Sequence, residues 1–552
     1  MHDLDRPSQR AHATRRGFLA RMSGLGLAAL AGLPPSLALA SREGSAEEDD
    51  DGSPATRRRR AAYDVRHEAA LRLLRRPLTS HSDNGDERRY PSRIGSYSKC
   101  LPHDARGEVA EAAYGAFLHA LGSGRGTDFE AIPMGGTLKL ANPQAAFTFD
   151  LEGYDSHELV LAPPPAFSSA REAAEMAEVY WQALTRDVPF ADFDADPSIA
   201  EAAADLSAFS DLGGPREGTV VTPATLFRGD TEGDLTGPYL SQMLWRDVPY
   251  GGVTVAQRYR TTVPGEDYMT SLADCLARQR GAPPATGSPF DSTPRYIRSG
   301  RDLAEWVHRD FTYEGFLNAT LVVLALGPGA LDGGNPYLVS ATQGSFVTFG
   351  APHVLDLMAR VANAALRACW YQKWLVHRRL RPEAFGLRVH EHLTGAARYP
   401  IHADLLGAAV LPSVFSAQGT YLLPMAYPEG CPAHPSFPAG HAAIAGACAT
   451  VLKAFFKDSF VMPAPVVASA DGLSLLPYVG PDLTLGGELN KLAANIALGR
   501  DTAGVHWRSD GIAGLALGEA VAIGVLRDLR TTLTETFGGF SLTRFDGTTV
   551  VI

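Results

Sequence analysis

The stretch His434-Pro435-Ser436-Phe437-Pro438-Ala439-Gly440-His441-Ala442-Ala443-Ile444-Ala445-Gly446-Ala447 decides the architecture. Pro438 and Gly440 punctuate the entry to a run of small residues, which predicts a helix over about 439–457. Small side chains allow close helix packing. The N-terminus of such a helix exposes unpaired amides that suit an anion. Gly440 lets backbone come close to a ligand, and His441 sits at the mouth. Taken alone, the stretch also reads as a buried helix with a capping histidine.

Two other segments carry matching chemistry. A helical pattern over 353–380 runs into Gln372-Lys373-Trp374-Leu375-Val376-His377-Arg378-Arg379-Leu380-Arg381-Pro382-Glu383. Lys373 and His377 are four apart and share a face. Pro382 favours a helix end and leaves Arg381 free to turn inward. Alone, this is a basic helix end that stabilises the dipole. The third segment is Gly499-Arg500-Asp501-Thr502-Ala503-Gly504-Val505-His506-Trp507-Arg508-Ser509-Asp510-Gly511. Arg500 and His506 flank a Gly-containing turn. Asp510 follows His506 by four and is placed to orient its ring if this part is helical.

Jointly, Lys373, Arg381 and Arg500 are three cations for one small anion. Arginine forks suit tetrahedral oxyanions, and lysine adds a point charge. Gly440 adds a backbone donor. One histidine is left to bond the central atom and one to move protons. That atom is phosphorus or an oxyanion metal such as vanadium.

The 552 residues are 45% hydrophobic and 20% charged, which is ordinary globular composition and excludes a disordered or collagen-like chain. A net charge of −11 argues against general nucleic-acid binding. No apolar run reaches the roughly 20 residues of a membrane span. The longest internal run, Leu321 to Leu326, reads as a core segment. Helical windows also fall at 108–121, 170–184, 301–310, 488–498 and 509–536. Residues 213–294 read as long loops, and strand signals are confined to 218–222 and 548–552. The fold class is mainly α, in helical bundles with long loops and few short strands.

Arg15-Arg16, an apolar stretch from Met22 to Leu33 and Ala38-Leu39-Ala40 read as a twin-arginine signal over residues 1–40, with export to the periplasm or beyond. Residues 41–62, with the blocks Glu47–Asp51 and Arg57–Arg60, read as a disordered charged linker. Residues 63–300 form an N-terminal helical and loop region and 301–552 the anion-binding helical region, expected as one compact unit. Cys100, Cys275, Cys369, Cys431 and Cys448 show no C-x-x-C spacing, which argues against a Cys-rich zinc site. One or two disulfides remain open to an exported chain.

The pattern K-x7-R-P, P-x-G-H, R-x5-H-x3-D resembles the signature shared by vanadium-dependent haloperoxidases and type 2 phosphatidic-acid phosphatases. The resemblance is greater to the bromoperoxidases of red algae and cyanobacteria. It extends through Tyr97–His103, Asn142–Gln144, Phe147–Tyr154, Arg186–Phe190 and Gly237–Trp245, covering about 63–552. It implies two four-helix bundles with vanadate at the top of one. His506 would bond vanadium axially, and Lys373, Arg381, Arg500 and the Gly440 amide would hold its oxygens. His441 would be the acid/base for hydrogen peroxide, which Lys373 would polarise. Bromide, and more easily iodide, would then give hypohalous acid that halogenates an organic acceptor. A histidine at 434 resembles the bromoperoxidases, where fungal chloroperoxidases carry phenylalanine. Gln372, beside the site lysine, is placed near the halide. Homo-oligomers and a structural calcium are further implications.

The resemblance fails at Ala439, where the signature carries serine. Losing one hydrogen bond to a charged ligand costs about 1.5–3 kcal/mol. Two alternatives stay open: an acid phosphatase in which His506 attacks phosphorus and His441 protonates the leaving group, or an inactive oxyanion-binding relative.

Overall fold

Helix α5 (Gly440–Phe455) and helix α7 (Arg508–Thr532) approach backbone to backbone. A Cβ on Gly518 would overlap the carbonyl oxygen of Ala443, and one on Gly446 would overlap that of Leu515. Only glycine allows that separation. With helix α3 (Ala351–Tyr371) and helix α6 (Leu485–Thr502), these two form a bundle around Val361, Ala365, Ala447, Val451, Leu489 and Leu526, all buried. Helix α2 (Gly300–Arg309) rests on α6.

A second core joins helix α1 (Ala170–Thr185) and helix α4 (Pro382–Leu393) to the shorter helices Pro197–Ser207 and Val410–Gln418. Ala503, Val505 and Trp507, on the turn between α6 and α7, belong to this second core. That turn therefore lies where the two cores meet. Helix starts are fixed by side-chain caps: Ser169 accepts from the Glu172 amide, Ser299 from Asp302 and Thr484 from Gly487.

The computed structural model describes residues 52–552. The twin-arginine segment and residues 41–51 lie outside the described residues. The chain divides at Arg75/Arg76. In the first unit the described residues form one helix, Pro54–Arg75, with no buried residue. Arg57–Arg60, expected in a disordered linker, is helical here, because Arg and Ala are strong helix formers.

Several expectations are corrected inside the second unit. The helix expected over 353–380 stops at Tyr371. Gln372–His377 continues as a π-helical turn, and Arg378 adopts left-handed angles (φ 41°, ψ 40°) that end it. Pro382 then opens α4 as its first residue, a position that needs no amide hydrogen. The 213–294 region holds an antiparallel pair, Val248–Tyr250 with Val253–Val255, and a helix, Leu272–Gln279. Residues 218–222 form no strand, only a bridge between Glu217 and Val220. Thr549–Val551 pairs antiparallel with Ser541–Thr543. Leu321 to Leu324 close the helix Glu314–Leu324. All five cysteines are buried free thiols. Among the described residues no helix is long and apolar enough to cross a membrane.

Helix α1 buries a row of acids spaced by three, Glu172, Glu175 and Glu178, each at most 3% exposed. Glu178 pairs with Arg508, and Arg379 takes the other two. Burial pushes the Glu172 carboxyl up to about 8, against the pull of Arg379. A raised acid favours the fold while protonated, so this contribution is lost as pH rises from 4.5 to about 8. Glu172→Gln should lose less melting temperature than wild type across that window; parallel pH profiles would contradict it. Gly518→Ala should destabilise by about 1–3 kcal/mol in denaturant unfolding, the usual range for overpacking.

Candidate active site

His506 ends the α6–α7 turn and is 2% exposed. Its Nδ1 lies 2.8 Å from Asp510 Oδ2, and Arg381 donates to its Nε2 at 3.0 Å. A carboxylate on one nitrogen and a guanidinium on the other select a single tautomer. Nδ1 carries the proton and Nε2 presents a lone pair. Burial, and then the charges of Arg381, Lys373 and Arg500, hold the imidazole far below its usual range, so it stays neutral.

Of the three cations, Arg381 touches that lone pair, and Lys373 and Arg500 lie near enough for their charges to act on the imidazole. Lys373 is fully buried and donates to the carbonyls of Pro435 (2.8 Å) and Ser436 (2.6 Å). Burial pushes its ammonium down to about 7, with Arg381 and Arg500 adding to the shift. Arg381 donates to the His434 carbonyl (3.0 Å), the Val505 carbonyl (2.5 Å) and His434 Nδ1 (2.9 Å). Arg500 donates to the Val307 carbonyl (2.8 Å) and the Tyr427 hydroxyl (3.3 Å), and its Nε is buried without a partner. Among the described residues none of the three makes an ion pair with a carboxylate. Buried charge is costly unless it is paired, so the donor set fits a small anion.

Gly440 opens α5, and the amide of the preceding Ala439 donates to the Asp510 carbonyl at 2.9 Å, which sets this helix start beside the first turn of α7. His441 follows, with a side chain 31% exposed, and its Nε2 lies 3.1 Å from Asp310 Oδ1. Its side chain reaches solvent, unlike that of His506. His434 packs its ring against Trp370, centroids 4.8 Å apart, beside Arg381. Gln372, beside Lys373, is buried, and its amide donates to the Leu159 carbonyl at 2.6 Å.

Sequence reasoning missed Ser436, Arg379 and Asp310. Ser436 donates a short hydrogen bond to Asp510 Oδ2, and Arg379 donates to Asp510 Oδ1 at 2.7 Å. Both stand inside quoted motifs, and that adjacency was the available signal. Asp310 caps α2 at a distance of 131 positions and carried none.

The comparisons bear on what fills this set. The family model of the VCPO second helical-bundle domain matches residues 355–535. A vanadium-dependent bromoperoxidase of Corallina pilulifera is 36% identical, over 90% of this chain and 98% of its own. One from Ascophyllum nodosum is 37% identical, over 80% and 83%. The chain belongs to the vanadium-dependent bromoperoxidase family. Its fold agrees with the homohexameric structure of a second vanadate-dependent bromoperoxidase from Ascophyllum nodosum, with a TM-score of 0.86 at 31% identity and 95% coverage of both chains.

Where the family signature has serine, Ala439 is the N-cap of α5 and offers no side-chain cap bond. Its backbone already has the extended angles of an N-cap (φ −73°, ψ 126°). Ala439→Ser should therefore raise stability by about 1 kcal/mol. It should also tighten binding of a tetrahedral oxyanion, orthovanadate or phosphate, by roughly ten- to a hundredfold. A melting temperature and a dissociation constant that both stay put would contradict this.

Proposed function

We propose that this chain is a vanadium-dependent bromoperoxidase that oxidises bromide with hydrogen peroxide. The observation that carries the reading is the His506 lone pair set among three buried cations with no carboxylate of their own. His506 would bond vanadium through Nε2. Lys373, Arg381, Arg500 and the Gly440 amide would hold the oxygens of vanadate. When bound, vanadate supplies a Lewis acid that makes peroxide electrophilic towards halide.

The protein's own work is electrostatic and protonic. Bromide loses two electrons, one proton is consumed, and hypobromous acid and water result. His441 stands open to solvent and is held by Asp310, so it takes a proton from entering peroxide and returns one to the departing oxygen. Lys373, whose ammonium is pushed down by burial, would be held charged by a bound anion and would polarise the peroxide. His434 and Trp370 form the wall where halide would approach.

Bromide over chloride follows His434. Twin-arginine export follows residues 1–40. The homohexameric neighbour supports a homo-oligomer. The family resemblance implies a structural calcium, and hypohalous acid would diffuse to an organic acceptor.

The test is bromination of an activated acceptor with hydrogen peroxide and bromide in phosphate-free buffer, with and without orthovanadate. Vanadate-dependent turnover is expected, with a loss of at least about a thousandfold in His506→Ala. No bromination at any vanadate concentration, with hydrolysis of an aryl phosphate in parallel, would overturn the reading in favour of a phosphatase.

A further inference from the structure

Arg379 spends its terminal nitrogens on acids and a serine, and it joins all three segments of the site. Its carbonyl accepts from the Ser436 amide at 3.1 Å. One terminal nitrogen donates to Asp510 Oδ1 (2.7 Å) and Ser509 Oγ (2.8 Å). The other donates to Glu172 (2.5 Å) and Glu175 (3.0 Å) on α1. Its guanidinium carbon lies 4.9 Å from the centre of the Trp507 ring. Arg379, Asp510 and both glutamates are at most 3% exposed, so solvent does not screen them.

We propose that Arg379 is a positioning residue for His506: it supplies the counter-charge that keeps the Asp510 carboxylate aimed at Nδ1, so that Nε2 offers its lone pair to vanadium. The inference rests on the vanadate reading of the site. A carboxylate that accepts from one imidazole nitrogen orients the ring and raises the donor strength of the other. Asp510 divides its two oxygens. Oδ1 is occupied by Arg379, which leaves Oδ2 to His506, Ser436 and the Trp507 amide. Without the guanidinium, Asp510 Oδ1 loses that donor and the carboxylate is free to turn away from Nδ1.

The rival account is an ion cluster that only holds the fold. Neutral replacement of a whole buried ionic cluster often preserves stability, whereas removal of one partner does not. Three variants therefore separate the accounts: Arg379→Met, Arg379→Lys, and the triple Glu172→Gln, Glu175→Gln, Arg379→Met. The readouts are melting temperature, the orthovanadate dissociation constant from equilibrium dialysis, and the vanadium NMR shift of the bound anion. Arg379→Met should weaken binding about ten- to a hundredfold, the usual range for partners behind a metal-holding histidine, and displace the resonance. Arg379→Lys should recover part of both. The triple variant should regain melting temperature without regaining affinity. A triple variant with wild-type affinity and resonance would overturn the proposal, as would a folded Arg379→Met that matches wild type. Wild-type protein that binds neither orthovanadate nor phosphate would overturn the oxyanion reading itself, and this inference with it.

Discussion

Asp510 sits in the first turn of α7, and much of the site hangs from it. One carboxylate oxygen receives His506, Ser436 and the Trp507 amide, and the other receives Arg379. Its carbonyl accepts from the Ala439 amide at 2.9 Å, which ties the start of α5 to the start of α7. That backbone bond forms only because the two helices touch, and they touch because Gly446 and Gly518 carry no side chain. Close packing, the helix N-terminus that faces the anion and the orientation of the histidine are thus one constraint seen at three levels.

Charge is arranged in two layers around this joint. On one side Lys373, Arg381 and Arg500 lie buried with carbonyls and imidazoles as partners and no carboxylate. On the other side Asp510, Glu172 and Glu175 share Arg379. The cationic layer is the costly one, since carbonyl dipoles only partly replace water. An oxyanion of two or three charges would remove that cost, so binding and folding stability are coupled. His441 reaches solvent at the edge of the cationic layer, where protons and peroxide must enter.

Most of this was legible in order and spacing. The helix over 439–457, the cations Lys373, Arg381 and Arg500, and the pair His506 and Asp510 were each visible from residue type and periodicity. The structure places Asp510 on one nitrogen of His506 and Arg381 on the other. What was hidden depends on distant partners or local backbone. Acids at 172, 175 and 178 look like an exposed helix face until Arg379 and Arg508 arrive from more than 200 positions away. Pro382 was read as a stop because proline disfavours the residue before it, yet it equally starts a helix. Gln372 was read near the halide by adjacency alone, and its hydrogen bond to the Leu159 carbonyl joins positions 213 apart, which spacing cannot show. The helix at 54–75 was masked by its charge, which composition alone reads as disorder.

The most direct test of the account is a crystal structure of the protein grown with orthovanadate in phosphate-free solution. The account predicts a tetrahedral or five-coordinate centre bonded to His506 Nε2, with Arg381 withdrawn from its present contact with that nitrogen and Lys373 turned from the Pro435 and Ser436 carbonyls to the anion. Saturating vanadate that leaves the Arg381–His506 contact intact and no density at Nε2 would contradict it.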